Sequence, residues 1–302
     1  MAIVQSLAAP RGGLDRTRAV RGQSWWSGTG QRLRKNSGAM VGLAVLAAIL
    51  LVVVFAPLVA PYSPIAVDPR NTDAPPSWQH PMGTDTVGRD ILSRVIYGGR
   101  LTVLVGVVAI VVAVGVGLPL GMLAGYYGAW TDRLISRSMD VMLAFPGILL
   151  ALVVVAVLGS SVLNVTIAVG ISLIPGFVRL VRSSYLAGRE QMYVEAARVI
   201  GVGNGRIMIR HVLPNVVAPL LVLATVAMGW AIIIGAALSF LGLGAQAPTP
   251  EWGVDLASGR EWIRSAWWMS TFPGIAITAL VVSVNLVGDG LRDALDPRLR
   301  NR

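Results

Sequence analysis

The sequence predicts an all-α membrane protein with six transmembrane helices and both termini in the cytoplasm. Three observations carry the prediction. Of 302 residues, 55% are apolar and only 13% are charged, about half the charged share of a soluble domain. That excludes an ordinary cytosolic enzyme and, by its hydropathy, a disordered chain. Long charge-free runs cover 38–60, 101–130, 141–178, 212–250 and 265–288, where a membrane helix needs about 20 apolar residues. The Lys and Arg residues, finally, alternate in density between successive connecting segments.

Residues 1–24 have no apolar period and read as a disordered cytoplasmic tail. Residues 25–37 join Trp25 and Trp26 to Arg32, Arg34 and Lys35, the composition of an amphipathic helix lying on the membrane surface. A basic tail that only sets topology is the alternative. The run 38–60 is the first transmembrane helix and is too long for the apolar part of a cleaved signal. Residues 61–100 form an external segment. There His80, Asp85, Arg89 and Asp90 suggest caps and ion pairs before an interfacial helix. Their spacing matches no known metal-ligand pattern, so no metal is expected.

The core, 101–291, holds the other five helices. Its first run, 101–130, is rich in glycine, with Gly117, Gly121 and Gly125 at four-residue spacing. Such spacing lets helices approach closely; ordinary membrane glycine content explains it equally well. The run 141–178 would be roughly 57 Å long as one helix, so Gly159-Ser160-Ser161 is read as a turn dividing it into two spans. The run 212–250 opens with Pro214 and Pro219 and closes with Gly242, Gly244, Pro248 and Pro250; its middle is one span. The run 265–288 is the sixth, and 292–302 is a cytoplasmic tail.

With the N-terminus inside, nineteen of the 25 Lys and Arg residues fall in cytoplasmic segments and six outside, as the positive-inside rule requires. The net charge of +10 therefore reports membrane topology, and no nucleic-acid partner is expected. No acid, base or histidine lies deep in a span, which argues against a proton-coupled carrier. No intramembrane nucleophile has a base beside it, which disfavours a hydrolase. There are no cysteines and no phosphate-binding Gly-x-x-x-x-Gly-Lys run. The chain is expected to have no catalytic residue and no cofactor of its own, and anything it moves must draw energy from elsewhere.

The loop 189–214 is the most informative segment. Residues 190–200 read as a short helix with Met192, Ala196, Val199 and Ile200 on one face. Gly201 is placed to end it, and Pro214 to begin the next helix. A helix this short is marginal alone and needs a surface to dock on, either in another protein or under its own bundle.

Glu195-Ala196-Ala197, Gly201 and Leu213-Pro214 have the spacing of the EAA loop, and on these residues the chain resembles the permease subunits of ATP-binding cassette importers. His211 departs from the broad pattern but is similar to the peptide/nickel branch. So are the segments running from His80 to Arg94, Ala237 to Gly244, and Gly288 to Arg298. The resemblance covers roughly residues 30–300. It implies a type I, MetI-like permease bundle in a bacterial plasma membrane, with 25–37 as an elbow helix. It implies that Glu195, Ala196, Ala197, Gly201, Leu213 and Pro214 couple to an ATPase. It implies as partners a second, B-type homologous permease, two ATP-binding cassette domains that hold ATP and Mg, and an extracytoplasmic solute-binding protein. The solute implied is a di- or oligopeptide, with nickel chelates and glutathione carried by relatives. The resemblance assigns no substrate-binding residues. A self-sufficient channel stays open as a reading of another class, although a channel has no reason to carry this loop.

Overall fold

The computed structural model describes Gly30 and residues 33–295; the expected tail 1–24, most of the elbow segment and residues 296–302 lie outside them. The described chain is helical, with one isolated bridge between Thr84 and Asp90 and no strand. The helices of eight residues or more are α1 (Ser37–Val54), α2 (Ile91–Tyr127), α3 (Ala129–Leu143), α4 (Gly147–Leu158), α5 (Val162–Arg189), α6 (Met192–Val199), α7 (Leu213–Phe240), α8 (Trp252–Gly259) and α9 (Trp268–Leu295).

Local chemistry sets most of the boundaries. Asn36 Oδ1 accepts from the Ala39 amide at 3.1 Å and starts α1. Asp90 accepts from the amide and hydroxyl of Ser93, both at 2.7 Å, and starts α2. Gly159, at φ 89, ends α4, and Ser161 Oγ accepts from the Asn164 amide at 3.1 Å to start α5. The predicted division at Gly159-Ser160-Ser161 is thus where the chain turns. Each such side-chain cap satisfies an amide that the helix itself leaves unpaired.

Helix extents depart from the sequence reading in three places. The second helix begins at Ile91 rather than near residue 101, so no separate interfacial helix precedes it; α2 runs unbroken for 37 residues, about 55 Å. The third predicted span, 141–158, is not one straight helix. α3 and α4 meet at 93° across Ala144-Phe145-Pro146. Proline offers no amide and keeps the preceding residue out of helical geometry. α4 alone, at 12 residues or about 18 Å, is shorter than the hydrocarbon core. Five helices are long and apolar enough to cross a membrane, or six if the bent pair counts as one span. Lastly, α9 stays helical to Leu295, past the expected start of the tail.

Packing follows the small residues. α2 lies along α5 with Gly117, Gly121 and Gly125 at the seam: a Cβ at Gly121 would stand 2.6 Å from Val181 Cβ, and one at Gly125 2.6 Å from the Arg182 carbonyl oxygen. The glycine spacing is therefore a close helix seam. α1 packs on α9, where a Cβ at Gly42 would meet Leu286 Cβ at 2.6 Å and one at Gly290 would meet Ala39 Cβ at 2.2 Å. α7 sits centrally against α2, α5, α8 and α9.

At the end of the bundle where α2 begins, polar groups tie the segments together. His80 Nδ1 lies 2.9 Å from Asp90 Oδ1, and Arg89 Nε donates to Asp85 Oδ2 at 2.6 Å. These are the caps and ion pairs expected there. A third pair was not predicted from the sequence. Arg94 on α2 is buried against Asp255 on α8, with Nε 2.9 Å from Oδ1, and its Nη1 donates to the carbonyls of Pro64 at 3.0 Å and Pro248 at 3.1 Å. Glu251 caps α8 through the Val254 amide at 3.0 Å and accepts from Thr102 Oγ1 at 3.2 Å. Burial raises the pKa of both acids: Glu251 above its ordinary value, and Asp255 to about 6 despite the opposing pull of Arg94.

Candidate functional site

The segment joining α5 to α7 folds as a rigid bracket. α6 turns Val194, fully buried, and Ala197, 5% exposed, onto the bundle. There they join Tyr126, Tyr185, Ile207 and Val212 in one apolar cluster. Polar contacts hold the bracket at both sides. Tyr126 Oη donates to Asn204 Oδ1 at 2.8 Å, and Tyr185 Oη to the Met208 carbonyl at 3.0 Å. Asn215 Nδ2 donates to Tyr193 Oη at 3.0 Å, and the Arg198 guanidinium stands 5.6 Å from the centre of the Tyr126 ring.

Gly201 takes φ 82, a left-handed conformation that costs glycine nothing. Its amide donates to the Arg198 carbonyl at 3.0 Å, and the Val202 amide to that of Ala197 at 3.0 Å. These two bonds close the helix end, as the position of Gly201 predicted. The next helix starts earlier than Pro214. The chain is helical from Asn204, and Ile207–Val212 widens into a π turn whose last bond runs from Leu213 N–H to the Met208 carbonyl. The missing amide of Pro214 leaves the Arg210 carbonyl without its usual partner, and a widened turn accommodates that gap.

The other face of α6 is open. Met192 is 85% exposed, Val199 82% and Ile200 79%, and Ala196 and Glu195 are exposed beside them. These are the apolar residues predicted to share a face, and the face points away from the chain's own bundle. Of the two motif alanines only Ala196 is open; Ala197 is spent on the bundle. Leu213 is half-buried against the cluster and Pro214 is exposed. The motif thus divides between an outward surface (Glu195, Ala196), an inward anchor (Ala197, Leu213) and two backbone devices (Gly201, Pro214). Sequence reasoning missed the anchors Tyr126, Tyr185 and Asn204. The three-residue spacing of Val194 and Ala197 was the available signal for the inward face.

Set against known proteins, residues 117–301 match the family described as binding-protein-dependent transport system inner membrane component. The chain belongs to this family. Residues 24–76 match the N-terminal transmembrane domain of oligopeptide transport permease C. A dipeptide transport system permease protein of Alkalihalophilus pseudofirmus is 49% identical over 276 residues, covering 91% of both chains. A di/tripeptide transport system permease protein of Pseudomonas aeruginosa is 46% identical, over 90% of this chain and 91% of that one. A glutathione transport system permease protein of Escherichia coli is also 46% identical, over 91% of each. Among solved structures, the MetNI methionine ABC transporter in inward-facing conformations superposes with a TM-score of 0.56 at 17% identity. The match covers 68% of this chain and 98% of that one and bears on the fold. The chain is thus a multi-pass inner-membrane transport component with a MetI-like fold.

Proposed function

We propose that the chain is the permease subunit of an ATP-driven importer of small peptides, and that α6 is the surface on which an ATP-binding subunit acts. The observation that carries this reading is the outward face of α6. A helix of eight residues does not stand alone in water, and this one is fixed from behind while presenting Met192, Val199 and Ile200 to the outside. An apolar face on a rigid mount transmits displacement: whatever holds it moves α5 and α7 with it. Glu195 gives the partner a charge to orient on, Ala196 lets it approach closely, and the backbone devices at Gly201 and Pro214 fix the angle of the mount.

The rest of the assembly follows from the family. A second, homologous permease completes the pathway, two cassette domains bind ATP and Mg, and an extracytoplasmic binding protein delivers the solute. Di- and oligopeptides are the solute class supported by the relatives' names, and glutathione, itself a small peptide, falls within it. α6 and both termini lie on the cytoplasmic side in this reading, as the distribution of Lys and Arg supports.

The test is co-purification from the native host in mild detergent. The unaltered chain should bring an ATP-binding subunit and a second permease with it. Val199→Asp and Ile200→Asp alter exposed side chains only, so membrane amounts should hold while the ATP-binding subunit is lost. Recovery of the unaltered chain alone and folded would favour the self-sufficient channel.

A further inference from the structure

α9 carries polar residues along one side for its whole length. Thr271, Thr278, Asn285 and Arg292 recur every seven residues, with Asp289 beside them. At 100° per residue all five fall within a strip about 60° wide. This strip borders the side that packs inward, made by Leu280, Val281, Val284 and Gly288, and Val281 shares a cleft with Asn285 and Asp289. The two threonines satisfy themselves: each hydroxyl donates to the carbonyl four residues back, at 2.8 Å. Asn285 does not. Its carboxamide has no hydrogen-bond partner among the described residues, though it lies within a helix apolar enough to span the membrane. It opens into a cleft between α7 and α9 beside Gly229, where a Cβ would come within 2.9 Å of Asn285 Oδ1. Trp230, 59% exposed, forms the other side of the cleft. A second groove, lined chiefly by α7 with Leu180 of α5, shares Val226 with it and reaches Arg292 at the end of α9.

An unpaired carboxamide and a line of polar groups are costly against lipid, and in membrane helices they face protein or water. We propose that this strip of α9, with Trp230 of α7, is the chain's wall of the solute pathway. Its chemistry suits a small zwitterionic peptide. Asn285 can donate to and accept from a peptide group, Asp289 and Arg292 offer one charge of each sign to the two termini, and Trp230 offers an apolar surface to side chains. The identity of the solute rests on the importer reading; the existence of a wetted wall does not.

The chain has no cysteine, so single Asn285→Cys, Trp230→Cys and, as a control on the apolar exposed side of α1, Leu51→Cys variants each carry the chain's one thiol; they are labelled in the assembled importer in vesicles and read on this chain after its separation from the partner subunits. A hydrophilic methanethiosulfonate reagent should modify N285C and W230C much faster than L51C, and a transported dipeptide should slow both. Asn285→Leu should raise KM for uptake about tenfold, the worth of one hydrogen bond, with Asn285→Gln restoring part of it. If N285C reacts no faster than L51C in vesicles whose importer still transports, the strip packs against lipid or the second permease and the proposal falls. If N285C reacts fast while the unaltered importer takes up no peptide, the wall stands and the peptide reading falls.

Discussion

Arg94 and Asp255 show what a single buried pair does here. Together they fasten α2, α8 and two loop carbonyls at one point. Removing one partner leaves a buried charge unopposed, at about 3–5 kcal/mol, whereas removing both with apolar replacements is far milder. Arg94→Leu should therefore lower thermal stability sharply, and Arg94→Leu with Asp255→Leu should recover much of the loss; a melt of the three purified variants checks it. The pH dependence has a definite sign. Because the folded pKa of Asp255, about 6, lies above its ordinary value of 3.8, the folded chain binds the proton more tightly than the unfolded one. Stability is thus gained below this window and lost as pH rises from about 4 to about 6. Glu251, also raised by burial, acts in the same direction. Asp255→Asn should flatten that part of the pH profile, and an unchanged slope would assign it to other groups.

At the scale of elements, the α2–α5 seam is the contact least tolerant of change. A side chain at Gly121 would collide with Val181 Cβ at 2.6 Å and with the Val178 carbonyl at 2.9 Å, while one at Gly115 meets nothing within 4 Å. Gly121→Leu should reduce the folded chain recovered from membranes, as overpacking costs about 1–3 kcal/mol or more, and Gly115→Ala should leave it unchanged. Equal loss for both would mean that crowding at the seam is not what decides, since both replacements favour the helix over glycine. The sequence showed these glycines plainly but left seam and ordinary membrane glycine equally weighted, since four-residue spacing does not say which neighbour the glycines face. It likewise showed Pro146 without its effect, because charge-free length is blind to direction. A run of apolar residues reads the same whether the chain crosses straight or bends by 93°.

For the whole molecule, the proposed topology has both termini in the cytoplasm, so a reporter fused after Arg302 should be active there; activity on the opposite side of the membrane would overturn the arrangement of six spans. The long apolar helices, the turn at Gly159-Ser160-Ser161 and the motif loop were legible because each depends on local composition, proline and glycine. The Arg94–Asp255 pair and the polar strip of α9 were not. The first joins residues 161 positions apart, and the second needs the rotation of α9 against α7 before its outward side can be told from its inward one. The same holds for α6, whose face was readable although its direction was not.

The pairing of α1 with α9 has a consequence for biosynthesis. α1 finds its seat, at Ser283, Leu286 and Gly290, on α9, a helix made much later. Roughly 240 residues separate them, and at about 5–20 residues per second the interval is on the order of ten to fifty seconds. Throughout it α1 stands in the bilayer with its glycine notch unfilled. A nascent chain cut short before α9 therefore keeps the notch of α1 open, so finished and unfinished copies differ inside the bilayer itself.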